Sequence, residues 1–148
     1  MGMNLISRHP NSTIAIGLML AKKVKKKQIF ALVGDMGGGK TYFAKGFAKG
    51  LGIRGVINSP TFVLMKVYRL RRPGLKLFCH VDAYRLKRVA DIREVGLPEY
   101  LQRPDTVVLI EWADKLRPLL RKLPLTVVRF TYINPTVRKI SIQKRARW

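Results

Sequence analysis

Residues 34–41 read "GDMGGGKT": four glycines, a lysine and a threonine in eight positions. The spacing is Gly, four residues, then Gly-Lys-Thr. Gly37, Gly38 and Gly39 clear away side chains, so consecutive backbone N–H groups can cradle phosphate oxygens. Lys40 would reach the β- and γ-phosphates, and the Thr41 hydroxyl would ligate Mg²⁺. Tyr42 lies in the first turn of the helix that follows, whose positive end adds its field. A nucleoside triphosphate with its metal is the expected ligand. Its base is left open, because there is no Asn-Lys-x-Asp guanine signature.

Binding alone needs only this loop; hydrolysis needs carboxylates. Asp82 closes the run "LFCHV" and Glu111 closes "TVVLI". In parallel sheets, ligands sit beyond the carboxyl ends of the strands. If these two strands neighbour the one before the glycines, both acids converge on the metal–triphosphate. Glu111 then takes the Walker-B place on the metal or its water. Asp82 orients attacking or metal-bound water, with His80 on the same strand face as its support. The competing readings are a helix cap or an Arg85 salt bridge for Asp82, and a cap for Glu111. "NSPTF" (58–62) sets Thr61 on a proline-fixed turn, where a threonine can sense the γ-phosphate as a switch.

The elements that must hold these residues follow from periodicity. Asn11 or Ser12 caps a largely buried helix running to about Val24. "QIFALV" (28–33) is a strand covered on both faces. Phe43, Phe47 and Leu51 recur at four-residue spacing, and Gly50 and Gly52 stop that helix. "TFVLMKVYRL" (61–70) and "LKLFCHVD" (75–82) form strands joined by "RRPG". In the second, Leu77, Cys79 and Val81 face one way and Phe78, His80 and Asp82 the other. A short helix covers 89–95; "TVVLIE" (106–111), "LTVVRFTYI" and "VRKISI" are further strands, the last two joined by "NPT". This alternation predicts an α/β fold with antiparallel pairs at 61–82 and at the C-terminus.

The chain has 148 residues, 47% of them hydrophobic, which suits one domain over 1–148 with its own core. The longest apolar run, Ile14–Ala21, is too short to cross a bilayer, and Lys22 and Lys23 stand where a signal cleavage site would need small residues. A cytoplasmic protein is expected, with no membrane partner. Cys79 is the only cysteine, which excludes an internal disulfide and reads as a small buried hydrophobe. Thirty Lys+Arg against eight Asp+Glu give a net charge of +22, clustered in "KKVKKK", "RLRR", "RLKR" and "KRARW". Such a surface attracts polyanions, with tRNA, rRNA and nucleotides as candidates, or is simply a solvated basic face.

Taken in order, "GDMGGGKTYFAKG", "SPTF", "HVDAYRL" and "IEW" resemble the TsaE (YjeE) family over about residues 10 to 143. The resemblance implies a P-loop NTPase-like three-layer sandwich with a mixed, mainly parallel central sheet and antiparallel hairpins. It also implies a weak Mg²⁺-dependent ATPase that works with TsaD and TsaB in threonylcarbamoyl transfer to adenosine 37 of tRNA. Carried over by motif, Gly37 to Thr41 bind the phosphates of ATP, with Lys40 catalytic as well and Tyr42 beside them. Thr41 and Glu111 hold Mg²⁺, Asp82 is catalytic or metal-associated, and Thr61 is the switch threonine. Trp112 packs beside the site, Thr13 lies near the nucleotide, and Arg138 stands in a hairpin that borders the adenine. Gly38 departs from the family's usual alanine, and Asn11 and Ser12 replace the acids usual beside Thr13.

Two other readings stay open. A P-loop small-molecule kinase would need a lid with catalytic arginines and an acceptor pocket. A basic nucleic-acid-binding module would keep only a regulatory nucleotide site, and the joint presence of Lys40, Thr41, Asp82 and Glu111 argues against it.

Overall fold

A computed structural model describes residues 2–35, 37, 39–146 and 148, the side chain of Arg145 apart. The described residues form a seven-stranded sheet in the order β1-β7-β6-β2-β5-β4-β3. Its strands are β1 (Gly2–Ser7), β2 (Gln28–Gly34), β3 (Met65–Arg72), β4 (Leu75–Asp82), β5 (Thr106–Glu111), β6 (Leu125–Asn134) and β7 (Val137–Ala146). The centre, β6-β2-β5-β4, is parallel, while β1–β7, β7–β6 and β3–β4 pair antiparallel. One face carries α1 (Pro10–Lys22) and α2 (Lys40–Gly50). The other carries α3 (Val89–Glu94), α4 (Leu97–Gln102), a 3₁₀ turn at 113–116 and α5 (Arg117–Leu120). This is the expected mixed, mainly parallel three-layer sandwich with a P-loop NTPase-like arrangement.

The central strands are apolar on both faces because each face has a layer to bury against. Phe30, Leu32, Phe78 and Leu109 join Phe43 and Phe47 of α2 in one core. Ile29, Ala31, Cys79, Val81 and Ile110 meet Ile92, Leu97 and Leu101 in the other. Phe30 and Phe47 lie edge to face, with ring centroids 4.7 Å apart. Burying rings of this kind contributes about 1.5–3 kcal/mol each. Cys79 is buried as expected, and desolvation pushes its thiol up to about 12, so it behaves as a hydrophobe.

Helices α1 and α2 touch backbone to backbone. A Cβ on Gly46 would stand 1.9 Å from the Ile14 carbonyl oxygen; on Gly17 it would stand 2.2 Å from that of Phe43, and on Gly50 2.4 Å from that of Leu18. These glycines are there for closeness. Gly50, expected to end α2, is its last helical residue and a packing contact, and Gly52, at φ +92°, follows the end.

Four expectations need correction. Helix α1 begins at Pro10, not after Asn11 or Ser12: proline suits the first turn, and His9 caps the helix by accepting the Asn11 N–H on Nδ1 at 3.1 Å. It buries one face only, along Thr13, Gly17, Leu20 and Ala21, where it packs on α2. Strand β3 starts at Met65, because 61–64 form turns that end on Leu64 at φ +68°. Strand β1 and helix α4 were not expected at all. Among the described residues no helix is long and apolar enough to cross a membrane.

Candidate nucleotide-binding site

The chemistry collects where β2, β5 and β4 end side by side. In the β4–β5 ladder Asp82 is the register partner of Glu111, and in the β2–β5 ladder Leu32 is. Alternation then decides which way the acids point. Phe78, two pleats before Asp82, packs against Phe47 of α2, with centroids 5.9 Å apart. Phe78, His80 and Asp82 therefore share the face on which α2 begins.

Between β2 and α2 the chain turns on glycines. Gly34 has φ +139°, and a Cβ there would come within 2.4 Å of the Phe130 carbonyl oxygen. Gly39 caps α2 at φ +98°, and a Cβ there would press on the Thr13 methyl at 3.3 Å. No side chain caps this helix start, so its N–H groups face the cleft as an anion cradle. Gly37 also has positive φ, while Gly38, expected on the phosphates, lies outside the described residues.

Lys40 is only 5% exposed although charged. Its Nζ donates to the carbonyls of Gly34 (2.6 Å) and Asp35 (2.7 Å) and stands 4.0 Å over the Trp112 ring. Burial lowers its pKa, against the opposing charges of Glu111, Asp114, Asp35 and Asp82. A desolvated ammonium beside bare amides is a strong attractor for phosphate.

Glu111, 1% exposed, is held by three donors. The Thr41 hydroxyl donates to Oε1 at 3.1 Å, and the Ser59 hydroxyl (2.8 Å) and His80 Nε2 (2.8 Å) reach Oε2. A carboxylate only accepts, so the His80 proton is on Nε2, leaving Nδ1 buried without a partner among the described residues. Here an expectation fails: His80 supports Glu111, not Asp82. The strand register explains it, because His80 pairs with Leu109 and Glu111 is the diagonal neighbour two residues on.

Asp82 accepts the Thr61 hydroxyl at 3.0 Å and the Tyr84 N–H at 2.9 Å. Burial raises its pKa most, the Tyr84 hydrogen bond opposes this, and the charge of Glu111 adds to the rise. Arg85 does not pair with it; that guanidinium lies over the Phe62 ring at 4.6 Å. Neither acid is a helix cap. Trp112 turns the chain at φ +58° immediately after Glu111 and packs on Tyr84, with centroids 5.1 Å apart.

These groups line one cleft of about 480 Å³. Its walls include Gly37, Gly39, Lys40, Thr41, Tyr42, Thr61, Asp82, Glu111, Trp112, Thr13 and Arg138, all expected there. The Thr13 hydroxyl is 2.7 Å from that of Ser7, and Arg138 Nε donates to the Gly37 carbonyl at 2.6 Å. Ser7, Arg8, His9 and Ser59 also line it and were not foreseen. Ser59 lay in plain view two residues before Thr61; the first three follow a strand that the sequence hardly marks.

The residues fit a triphosphate with magnesium. The loop has no room for a side chain at Gly34 and a left-handed backbone at Gly39, and the groups near it are hydroxyl and carboxylate oxygens, which suit a hard cation. Among the described residues no group of three or more His, Cys, Asp or Glu is placed to hold a metal ion by itself.

Comparison with known proteins gives the family. The family model "Threonylcarbamoyl adenosine biosynthesis protein TsaE" matches residues 7–142. The TsaE protein of Bacillus subtilis is 38% identical over 120 residues, 81% of this chain and 72% of its own. That of Treponema pallidum is 34% identical over 125 residues, 84% of this chain and 89% of its own. The crystal structure of Bacillus subtilis YdiB superposes with a TM-score of 0.78 at 29% identity, covering 99% of this chain and 87% of that one. With its phosphate loop, paired strand-end acids and "HVDAYRL" and "IEW" segments in this order, the chain belongs to the TsaE family.

Proposed function

We propose that this protein is a cytoplasmic Mg²⁺-dependent ATPase that serves threonylcarbamoyladenosine formation at position 37 of tRNA together with TsaD and TsaB. The observation that carries the reading is the meeting of Lys40, Thr41, Asp82 and Glu111 at adjacent strand ends. The names of its relatives, tRNA threonylcarbamoyladenosine biosynthesis proteins, supply the pathway.

Gly37, Gly39 and the start of α2 would bind the phosphates through backbone N–H groups, with Lys40 neutralising them. Thr41 and Glu111 would hold Mg²⁺, with Asp82 close by. Held there, Mg²⁺ would supply positive charge against the negative charge that develops on phosphoryl transfer. Glu111 is fixed for this by His80 and Ser59, so it loses little freedom on ligation. Asp82 would orient the attacking water; its raised pKa makes it a better proton acceptor than an ordinary aspartate. The Thr61 hydroxyl, which donates to Asp82, would respond to a γ-phosphate. Trp112 and Arg138 form the walls beside the loop.

The test is reconstitution: ATP turnover by this chain with and without TsaD, TsaB and tRNA, and tRNA modification with and without this chain. Stimulated turnover and a requirement for this chain are expected. Phosphate transferred to a metabolite, or modification that proceeds equally without this chain, would refute the reading.

A further inference from the structure

At the end of the molecule opposite the nucleotide cleft, basic residues gather with a single carboxylate among them. The amino ends of β2, β4, β5 and β6 and the carboxyl ends of β3 and β7 share one pole, opposite the cleft. Five lysines of 22–27 enter this pole before β2. Arg71, Arg72 and Lys76 flank the turn between β3 and β4. Arg121 and Lys122 precede β6, Arg103 precedes β5, and Lys144 lies near the end of β7. The carboxylate at this pole is Asp105, already bound to Arg103 by two hydrogen bonds of 2.9 Å. The other acids lie elsewhere: Asp35, Asp82, Glu111 and Asp114 around the cleft, and Asp91, Glu94 and Glu99 on α3 and α4.

The pole is also a fastened surface. Arg72 donates to the carbonyls of Ala21 (3.1 Å) and Lys22 (3.2 Å), tying the β3–β4 turn to the end of α1. The Lys76 N–H donates to the Asp105 carbonyl at 2.8 Å, tying that turn to the segment before β5. Gln28 Nε2 donates to Thr126 Oγ1 at 2.9 Å, joining the starts of β2 and β6. Cations held this close repel one another, and among the described residues only Arg88 and Arg103 meet a carboxylate. Within the chain, the repulsion stays uncompensated.

We propose that this pole docks the phosphate backbone of RNA, leaving the nucleotide cleft free at the other end. Naming RNA rests on the proposed function, since charge alone also fits an anionic lipid surface. The pole's basic segments 22–27, 69–76 and 121–124 carry no aromatic residue of the kind that anchors a protein in a bilayer, and the one beyond Lys144, Trp148, packs against the core under the Arg117 guanidinium at 5.0 Å. Backbone phosphates need only a fixed array of Lys and Arg.

The experiment uses the full chain and an unmodified tRNA transcript, followed by fluorescence anisotropy from about 50 to 300 mM KCl. The variant is Lys25→Glu, Lys26→Glu, Arg121→Glu, Lys122→Glu; Arg72 is left alone because it holds the turn. Tight wild-type binding with a steep salt slope is expected, each lost phosphate contact lowering the slope by roughly 0.7–0.9. The variant should bind at least about 10-fold more weakly at 100 mM KCl with a slope lower by about 2 or more. Its melting temperature and Mg-ATP affinity should stay close to wild type, which excludes misfolding. Equal tRNA affinity in the two proteins, an unchanged slope, or preference for phosphatidylglycerol vesicles over tRNA would overturn the proposal. If reconstituted ATP turnover stands while tRNA binding ignores the substitutions, the pole alone is refuted; if tRNA binds through the pole while turnover is unstimulated, the functional reading alone falls.

Discussion

Replacing Gly46 by alanine tests whether the α1–α2 contact sets the position of the phosphate loop. The added methyl would stand 1.9 Å from the Ile14 carbonyl oxygen, against the 3.0 Å below which real Cβ atoms are essentially never found. The helices must therefore part by about 1.1 Å at the crossing. The three nearest atoms all belong to the Ile14 backbone, so no side-chain rotation relieves the clash, and the cost lies at the upper end of overpacking, about 3 kcal/mol. Alanine's helix propensity returns about 1 kcal/mol, leaving a net loss of about 2 kcal/mol. For 148 residues the unfolding entropy is about 0.3 kcal/mol/K, so the melting temperature should fall by about 6–7 °C. Because α2 begins at Lys40 and Thr41, the same displacement moves the site, and a shift near 1 Å lowers turnover by up to about 100-fold. Thermal melts and ATP turnover are to be measured beside Gly52→Ala, a control in open space at φ +92°. That control should lose about 1–2 kcal/mol to its left-handed backbone and keep its activity per folded molecule. A Gly46→Ala protein that melts at or above wild type, with normal turnover, would refute the reasoning.

Three further perturbations follow from the site and its surroundings. Lys40→Ala should abolish Mg-ATP binding in calorimetry, whereas Glu111→Gln should keep binding and block turnover; unchanged hydrolysis in both would remove the phosphate-loop mechanism. His80→Phe deletes a charge-assisted hydrogen bond worth about 1.5–3 kcal/mol but also a buried, unpartnered nitrogen of similar cost, so stability should change little. Magnesium affinity or turnover should nonetheless fall by about 10- to 100-fold, and a large loss of stability with normal turnover would show that His80 only packs. Asp105 is held down to about 2, from an ordinary 3.8, chiefly by its hydrogen bonds to Arg103. A lowered carboxylate pKa stabilises the fold above the ordinary value and stops doing so as pH falls through the folded one. The melting-temperature gap between wild type and Asp105→Asn should therefore be full at pH 5 and close towards pH 2; a gap independent of pH would contradict the pairing.

How much was legible depended on how much each segment's neighbours had to contribute. Strands β2 and β5 could be bounded closely because both are short apolar runs buried on two faces, and burial on both sides needs no tertiary knowledge to recognise. The phosphate loop was legible because its glycines serve steric and ligand demands that few other sequences share. Strand β1 was not, because "GMNLIS" pairs only with β7 at the sheet's edge and needs little apolar content to do so. Helix α4 is a single six-residue segment, too short to show a period. The partner of His80 was misjudged for a different reason. Alternation along one strand tells which face a side chain takes, but the neighbour it meets is set by the register of a strand thirty residues away. The Ser7–His9 corner belongs to the same class, being in the site by virtue of folding alone.

The lysine-rich pole has one carboxylate, Asp105, whereas the other seven acids lie around the cleft or on α3 and α4, so a large polyanion would draw that pole inward under the docking proposed above. The mouth near Trp112 and Arg138 then faces bulk solvent. If both proposals hold, spent nucleotide would leave and fresh nucleotide enter without the protein first letting go, so the rates of exchange and of release would be free to be tuned separately.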